Sequence, residues 1–335
     1  MLDAVPADAL GGEAPMLQYV DMELVWDRLE LADAGDEERL AELGSAASHG
    51  TFALPPRLFD VRAFDVEASR EEVGFDVLAI EREIAVDSPP SALRVLDVTV
   101  AEDDIAAATA EDPTWSDRRQ TVETDAGEYF DWSTDGDELA VDVERTTPMR
   151  PLGVGGQLAV EGAGDGARVV RTVESAWMED ALATAAGEAV SAAEEGPFTD
   201  AADALDGDVM QAAGIVGPIS GLPAGLTPEQ EAAVESRAMF VEPYTALLVA
   251  DVVVDEEPRL DVLLLHDSAD EASANEAAVA ELVADGVTAM NIPVAELLPD
   301  ATVEVDGNVV RVSSVDGRFG QIFNALLQRA VFVSR

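Results

Sequence analysis

Short apolar runs recur along this chain, and after most of them the apolar positions open out to every third or fourth residue, the alternation of strand and helix patterns. "MLQYVDM" at 16–22 reads as a first strand, and residues 25–48 carry apolar positions at helical spacing, with Asp36 as the N-cap of the second part. "PPSALRVLDVTV" at 89–100 alternates as a strand and precedes an acidic helix, 101–112, that stops before Pro113. Residues 120–144 read as strands joined by turns, with Asp135-Gly136 as a hairpin signal, and 155–175 as a hairpin with Gly162, Gly164 and Gly166 at its turn. A helix over 176–193 has Trp177, Ala181, Leu182 and Ala185 on one side, and 200–217 predicts a further short helix. The Pro- and Gly-rich residues 218–231 mark a loop. Beyond it come two apolar strands, 244–254 and 259–267, a helix over 269–286, a hairpin over 301–315 turning at Asp306-Gly307, and a closing helix within 319–335.

Strand, strand, helix thus recurs at 89–112, 155–194 and 244–286. Tight hairpin turns make neighbouring strands antiparallel, so a doubly wound parallel sheet fits poorly and the pattern predicts an α+β fold of antiparallel sheets with helices. The recurrence suggests two related halves, 16–150 and 151–335, meeting at "TTPMRPLGVGG". Residues 1–15 carry no apolar periodicity and are expected to form a flexible lead-in, a stalk whose removal leaves the melting temperature unchanged.

Composition changes the picture most through charge. The 335 residues include 69 Asp+Glu against 19 Lys+Arg, a formal charge of -50, and every basic residue is arginine. A chain this acidic suggests disorder only when hydrophobicity is low, and here 48% of residues are hydrophobic with mean hydropathy +0.07. The acid is therefore a surface property. Such a surface repels itself in dilute buffer, and the repulsion nearly vanishes at molar salt, where the screening length is about 3 Å.

The same counts exclude chemistry. Without cysteine there is no disulfide framework, thiolate nucleophile or cysteine metal site, and without lysine no Schiff base or phosphate-loop lysine. Two histidines, His49 and His266, cannot build a histidine-rich metal site. A chain at -50 repels phosphate backbones, so no nucleic-acid partner is expected; hydrated cations at the acidic surface and a protein partner are. No cofactor is expected.

The run ending in His266-Asp267-Ser268 places an imidazole, a carboxylate and a hydroxyl at a strand end, and His266 is the one weak catalytic candidate, as the base of a serine-type hydrolase. Neighbours on a strand point to opposite faces, however, and Ser268 or Asp267 suits the N-cap of the following helix. "GVGGQ" at 153–157 and "EGAGDGA" at 161–167 lack dinucleotide-loop spacing, and the serine of "GPISG" at 217–221 is one place late for a nucleophile elbow. Acid clusters stand at Glu102-Asp103-Asp104, at Asp135, Asp137 and Glu138, and at Asp203, Asp206 and Asp208. The second set is the weak metal candidate, although none has calcium-loop spacing.

With its "VPADA" opening, strand–helix repeats and lysine-free acidic surface, the chain resembles uncharacterised surface or lipoprotein-type domains encoded by haloarchaea. That resemblance is one of composition and style, and it transfers no site residue. It implies a non-enzymatic, salt-adapted binding or structural domain, extracytoplasmic and tethered to a membrane through an anchor not present in this chain. A cytoplasmic partner-binding protein is the alternative.

Overall fold

The computed structural model describes residues 1–11, 15–48, 66–133, 139–147, 149–150, 152–220, 240–288 and 291–334. The fold is mixed α and β, built on antiparallel sheet, with nine α-helices among the described residues. The chain divides into two compact units. Unit 1 comprises 1–44 and 55–196, and unit 2 comprises 45–54 and 197–335.

Unit 1 holds β1 (Met16–Asp21), β2 (Ile80–Ser88), β3 (Ser91–Val98), β4 (Gln120–Thr124), β5 (Gly127–Asp131), β6 (Gln157–Ala163) and β7 (Gly166–Thr172), side by side in the order β1-β2-β3-β7-β6-β5-β4. Its helices are α1 (Met22–Arg28), α2 (Asp36–Ser48, whose last residues pass into unit 2), α3 (Val66–Val73), α4 (Glu102–Glu111) and α5 (Ser175–Ala185). The β6–β7 turn uses Gly164 at φ +62, and Gly166 lies so close to β3 that a Cβ there would sit 2.0 Å from the Val98 carbonyl oxygen. Only glycine lets β7 approach β3 at that point.

Unit 2 holds α6 (Thr199–Ala204), β8 (Asp208–Val216), β9 (Ala246–Val254), β10 (Glu257–Leu265), α7 (Ala269–Asp285), α8 (Val294–Leu297), β11 (Thr302–Asp306), β12 (Val309–Ser314) and α9 (Phe319–Leu327). Strand order is β11-β12-β10-β9-β8. The central β9 and β10 are buried on both faces, with Leu247, Val249, Val262, Leu263 and Leu264 at 0% exposure, which is why they read as near-continuous apolar runs rather than alternating ones.

Several expectations are corrected. Residues 1–11 are not a loose stalk: two 3₁₀ turns, Leu2–Ala4 and Ala7–Leu10, bury Ala4, Val5, Ala9 and Leu10 in unit 1. The Ala192 amide donates to the Val5 carbonyl at 2.7 Å and the Ala7 amide to the Val190 carbonyl at 3.1 Å. The three-residue period of such turns falls between the strand and α-helix patterns. The division lies at 196/197 rather than near 150, because β6 and β7 pair with β5 and β3. The strand at 89–100 is half of a hairpin whose other arm is β2, and the turn between them contains a cis Pro89-Pro90 bond.

Residues 208–216 form β8 instead of extending a helix; the alanines of "MQAAGIV" favour helix locally, but pairing with β9 overrides that preference. Asp36 is the first residue of α2, not its cap, and α1 is capped by Asp21, whose Oδ1 accepts from the Glu23 and Leu24 amides at 3.1 and 3.3 Å. The Asp135-Gly136 hairpin signal lies outside the described residues; β4 and β5 turn at Asp125-Ala126. Among the described residues no helix is long and apolar enough to cross a membrane.

Candidate functional sites

His266 follows the last residue of β10 and is 2% exposed. Its Nδ1 stands 3.3 Å from the Asn308 carbonyl oxygen, an acceptor, so Nδ1 carries the proton. Nε2 is 3.0 Å from Asn275 Nδ2, on the inner face of α7. The orientation of that amide is set by the backbone of Glu242, whose N–H donates to Asn275 Oδ1 at 2.8 Å and whose carbonyl accepts from Nδ2 at 3.2 Å. Asn308 returns a bond from its own Nδ2 to the His266 carbonyl at 3.0 Å and reaches Asp200 at 2.7 Å.

Every ring position is thus occupied, and burial holds the imidazole below its ordinary pKa, opposed by the Asn308 carbonyl. A proton on Nε2 would confront the Asn275 amide hydrogens, which reinforces the neutral form. A general base must offer a free lone pair to its substrate or nucleophile, and this one is already bonded inside the protein. Ser268 serves as the N-cap of α7, its Oγ accepting from the Glu271 amide at 3.3 Å, and no described serine hydroxyl bonds the His266 ring. His49 lies outside the described residues.

Unit 1 contains a constellation that the sequence reading missed. Glu72 on α3 and Arg150, both 3% exposed, are directly paired through Oε1 and Nη1. Glu72 Oε1 also accepts from Thr147 Oγ1 at 2.6 Å, and Oε2 from the Met149 amide at 3.1 Å. Arg150 Nε donates to the Gly155 carbonyl at 3.1 Å, and Asp112 Oδ2 stands 3.7 Å from its Nη1. The Arg150 guanidinium lies 4.5 Å from the Trp132 ring centre and 5.0 Å from that of Trp115. Arg118 and Arg145 flank Trp115 at 5.5 and 5.7 Å, while the Trp115 indole donates to the Arg145 carbonyl at 3.0 Å.

Burial opposes the charge on Arg150, with Glu72 and then Asp112 restoring part of it. The legible signal was scarcity: of 19 arginines, Arg118, Arg119, Arg145 and Arg150 gather in "DPTWSDRR" and "VERTTPMR", segments that also carry Asp112, Asp117 and Glu144.

The acid clusters disperse. Glu102, Asp103 and Asp104 occupy the first turn of α4, where the helix dipole favours them. Asp206 pairs with Arg311 at 3.0 Å. Asp135, Asp137 and Glu138 lie outside the described residues. Among the described residues no group of three or more potential ligands could hold a metal ion.

By fold, then, this is an α+β protein of antiparallel sheet whose two polar clusters, one neutral and one ionic, are buried. No family model matches the chain, and no curated protein matches it. Among solved structures, crystal form I of TP0453 is similar at 12% identity and a TM-score of 0.39, over 96% of this chain and 97% of that one. Crystal form IV of TP0453 is similar at 11% identity and a TM-score of 0.40, over 95% and 96%. Likeness at this level carries no argument about the present chain.

Proposed function

We propose that this chain is a halophilic, acidic, non-enzymatic binding or structural domain, exported and tethered to a membrane through a segment outside these residues. The observation that carries the salt adaptation is the placement of charge. Buried acids among the described residues are Glu72, Asp76, Glu83, Asp97, Asp112 and Asp261. Five of these face arginine: Glu72 and Asp112 at Arg150, Asp76 at Arg70, Asp97 at Arg168 and Asp261 at Arg259. Four of the 19 arginines are thus committed to buried acids, and the surplus of carboxylate is left to water and hydrated cations. A protein partner fits this reading and nucleic acid does not. The enclosed His266 ring supports leaving hydrolysis aside.

The test is thermal unfolding between about 0.1 M and 3 M potassium chloride, a range over which the screening length shrinks several-fold. A midpoint that climbs steeply supports salt adaptation, and a flat one overturns it.

Export is a separate matter. Because residues 1–11 pack within unit 1, a tether would lie outside them, and a cytoplasmic partner-binding protein is the second reading. Fractionation of the native host separates the two: recovery with membranes or outside the cell supports the tethered form, and recovery in the cytosol the other.

The two-halves relationship also stays a proposal. What supports it is a hairpin followed by a helix at β2-β3-α4 within 16–150, and at β6-β7-α5, β9-β10-α7 and β11-β12-α9 within 151–335.

A further inference from the structure

Strand β4, Gln-Thr-Val-Glu-Thr, ends the strand order of unit 1, and β11, Thr-Val-Glu-Val-Asp, ends that of unit 2. Each pairs on one side, with β5 and β12, and among the described residues no backbone bond reaches the other side of either. An open edge offers its N–H and C=O groups to a further strand, and proteins guard it with charge, proline, bulges or a covering element.

The two edges differ in how they would receive a copy of themselves. Antiparallel pairing of β11 with β11 about its central residue sets Glu304 against Glu304 and Thr302 against Asp306, so like charges meet. In β4 the only acid is Glu123, there is no proline, and the pairing with β5 runs without a bulge. Paired with itself about Val122, β4 sets Val122 on Val122, Thr121 on Glu123 and Gln120 on Thr124, and no acid faces an acid. Partners in this register lie an even number of residues apart, so outward-pointing backbone groups meet outward-pointing groups. Centring on Glu123 would oppose that residue to itself, and centring on Thr121 would leave only residues 120–122 of the strand paired.

The flanks complement each other in the same register. Arg119 enters the strand in extended conformation and Asp125 follows it, so Arg119 of each copy comes across from Asp125 of the other. Among the described residues neither makes an ion pair: Arg119 lies 3.7 Å from the Phe130 ring centre with its buried Nε lacking an acceptor, and Asp125 is exposed. Exposed apolar side chains gather at the same end of β4. Val141 and Val143, 59% and 72% exposed, flank Asp142, which bonds Arg118 at 3.1 Å just before the strand. The Asp142 amide donates to the Gly153 carbonyl at 3.2 Å, which brings Leu152, 64% exposed, beside them.

We propose that β4 is a self-association edge: two copies of this chain join β4 to β4, antiparallel about a two-fold axis at Val122, with an Arg119–Asp125 contact at each end. Val141, Val143 and Leu152 then stand where the β4–β5 turn of the second copy arrives. Two chains at -50 repel each other in dilute buffer, and salt removes that long-range opposition while the contacts across the joint persist. The pairing rests on the edge alone and holds whether or not the protein is exported.

The test is sedimentation equilibrium of the full chain in about 2 M potassium chloride, where the screening length is below about 3 Å. A dimer is expected, and Val122→Glu, which sets carboxylate against carboxylate at the axis, is expected to weaken it roughly tenfold or more. Arg119→Asp and Asp125→Arg are each expected to weaken it, and the two together to restore it, a rescue that a folding defect cannot mimic. Glu304→Gln on β11 is expected to leave association unchanged. A wild-type chain that stays monomeric at this salt overturns the proposal, as does a dimer that Val122→Glu and the two single charge reversals leave at wild-type strength.

Discussion

The buried polar clusters of the two units solve the same problem in opposite ways. In unit 2, His266, Asn275, Asn308 and the Glu242 backbone form a neutral network in which each ring nitrogen and each amide atom of Asn275 meets a partner. In unit 1, Glu72, Asp112 and Arg150 bring full charges inside, pack the Arg150 guanidinium against two tryptophans, and leave Trp132 Nε1 and Asp112 Oδ2 without a hydrogen-bond partner among the described residues. A saturated neutral network fixes geometry and has no capacity for a ligand. The ionic cluster is costly to break, since removing one charge strands another. The cluster with the catalytic-looking sequence is therefore closed around its histidine, and the one in the plain-looking stretch holds its charges by direct pairing.

The sharpest way to break the comparison is Glu72→Gln. It preserves shape but leaves Arg150 facing only Asp112 at 3.7 Å, and a loss of about 3–5 kcal/mol is expected in denaturant unfolding. A loss below that of the neutral network's variants would show that the ion pair is not what holds unit 1. Asn275→Ala is expected to cost about 1–3 kcal/mol, because His266 Nε2 and the Glu242 amide and carbonyl all lose their partner inside the protein.

Ser268→Ala should cost about 1 kcal/mol through the lost cap of α7. An effect beyond about 2 kcal/mol would mean that the hydroxyl does more than cap.

The smallest effect concerns pH. His266 titrates below its ordinary value of 6.5 in the folded state, so the unfolded chain binds the proton more readily. Its contribution is complete above pH 6.5 and is lost as pH falls through the folded pKa. His266→Gln should remove this part of the acid-side slope, read as the difference between the two stability curves; identical slopes would place the ring outside the titrating set.

Much of the element pattern was readable in advance where burial on one or both faces imposes a simple period. The helix now bounded as Ala269–Asp285, the hairpin of β6 and β7, and the β9 and β10 runs all stand close to their expected positions. The failures have a common physical cause. β8 has two adjacent alanines and a glycine at its centre and takes up strand through the ladder that β9 offers, and Val5 and Leu10 become core through the Val190–Ala192 segment that bonds the turns carrying them. Neither partner is a sequence neighbour.

The candidate sites divide along the same line. Residue counts alone determined what this protein cannot use, namely thiol and amine chemistry and a histidine-rich metal centre, and they determined its charge of -50. Those are properties of inventory, and no fold can change them. Which residues meet was decided by tertiary structure alone: Glu72 reaches Arg150 across 78 positions, and His266 is closed by Asn308 from 42 positions away. A side chain's chemistry is set by the dielectric and the donors around it, and those are assembled only when distant strands and helices pack.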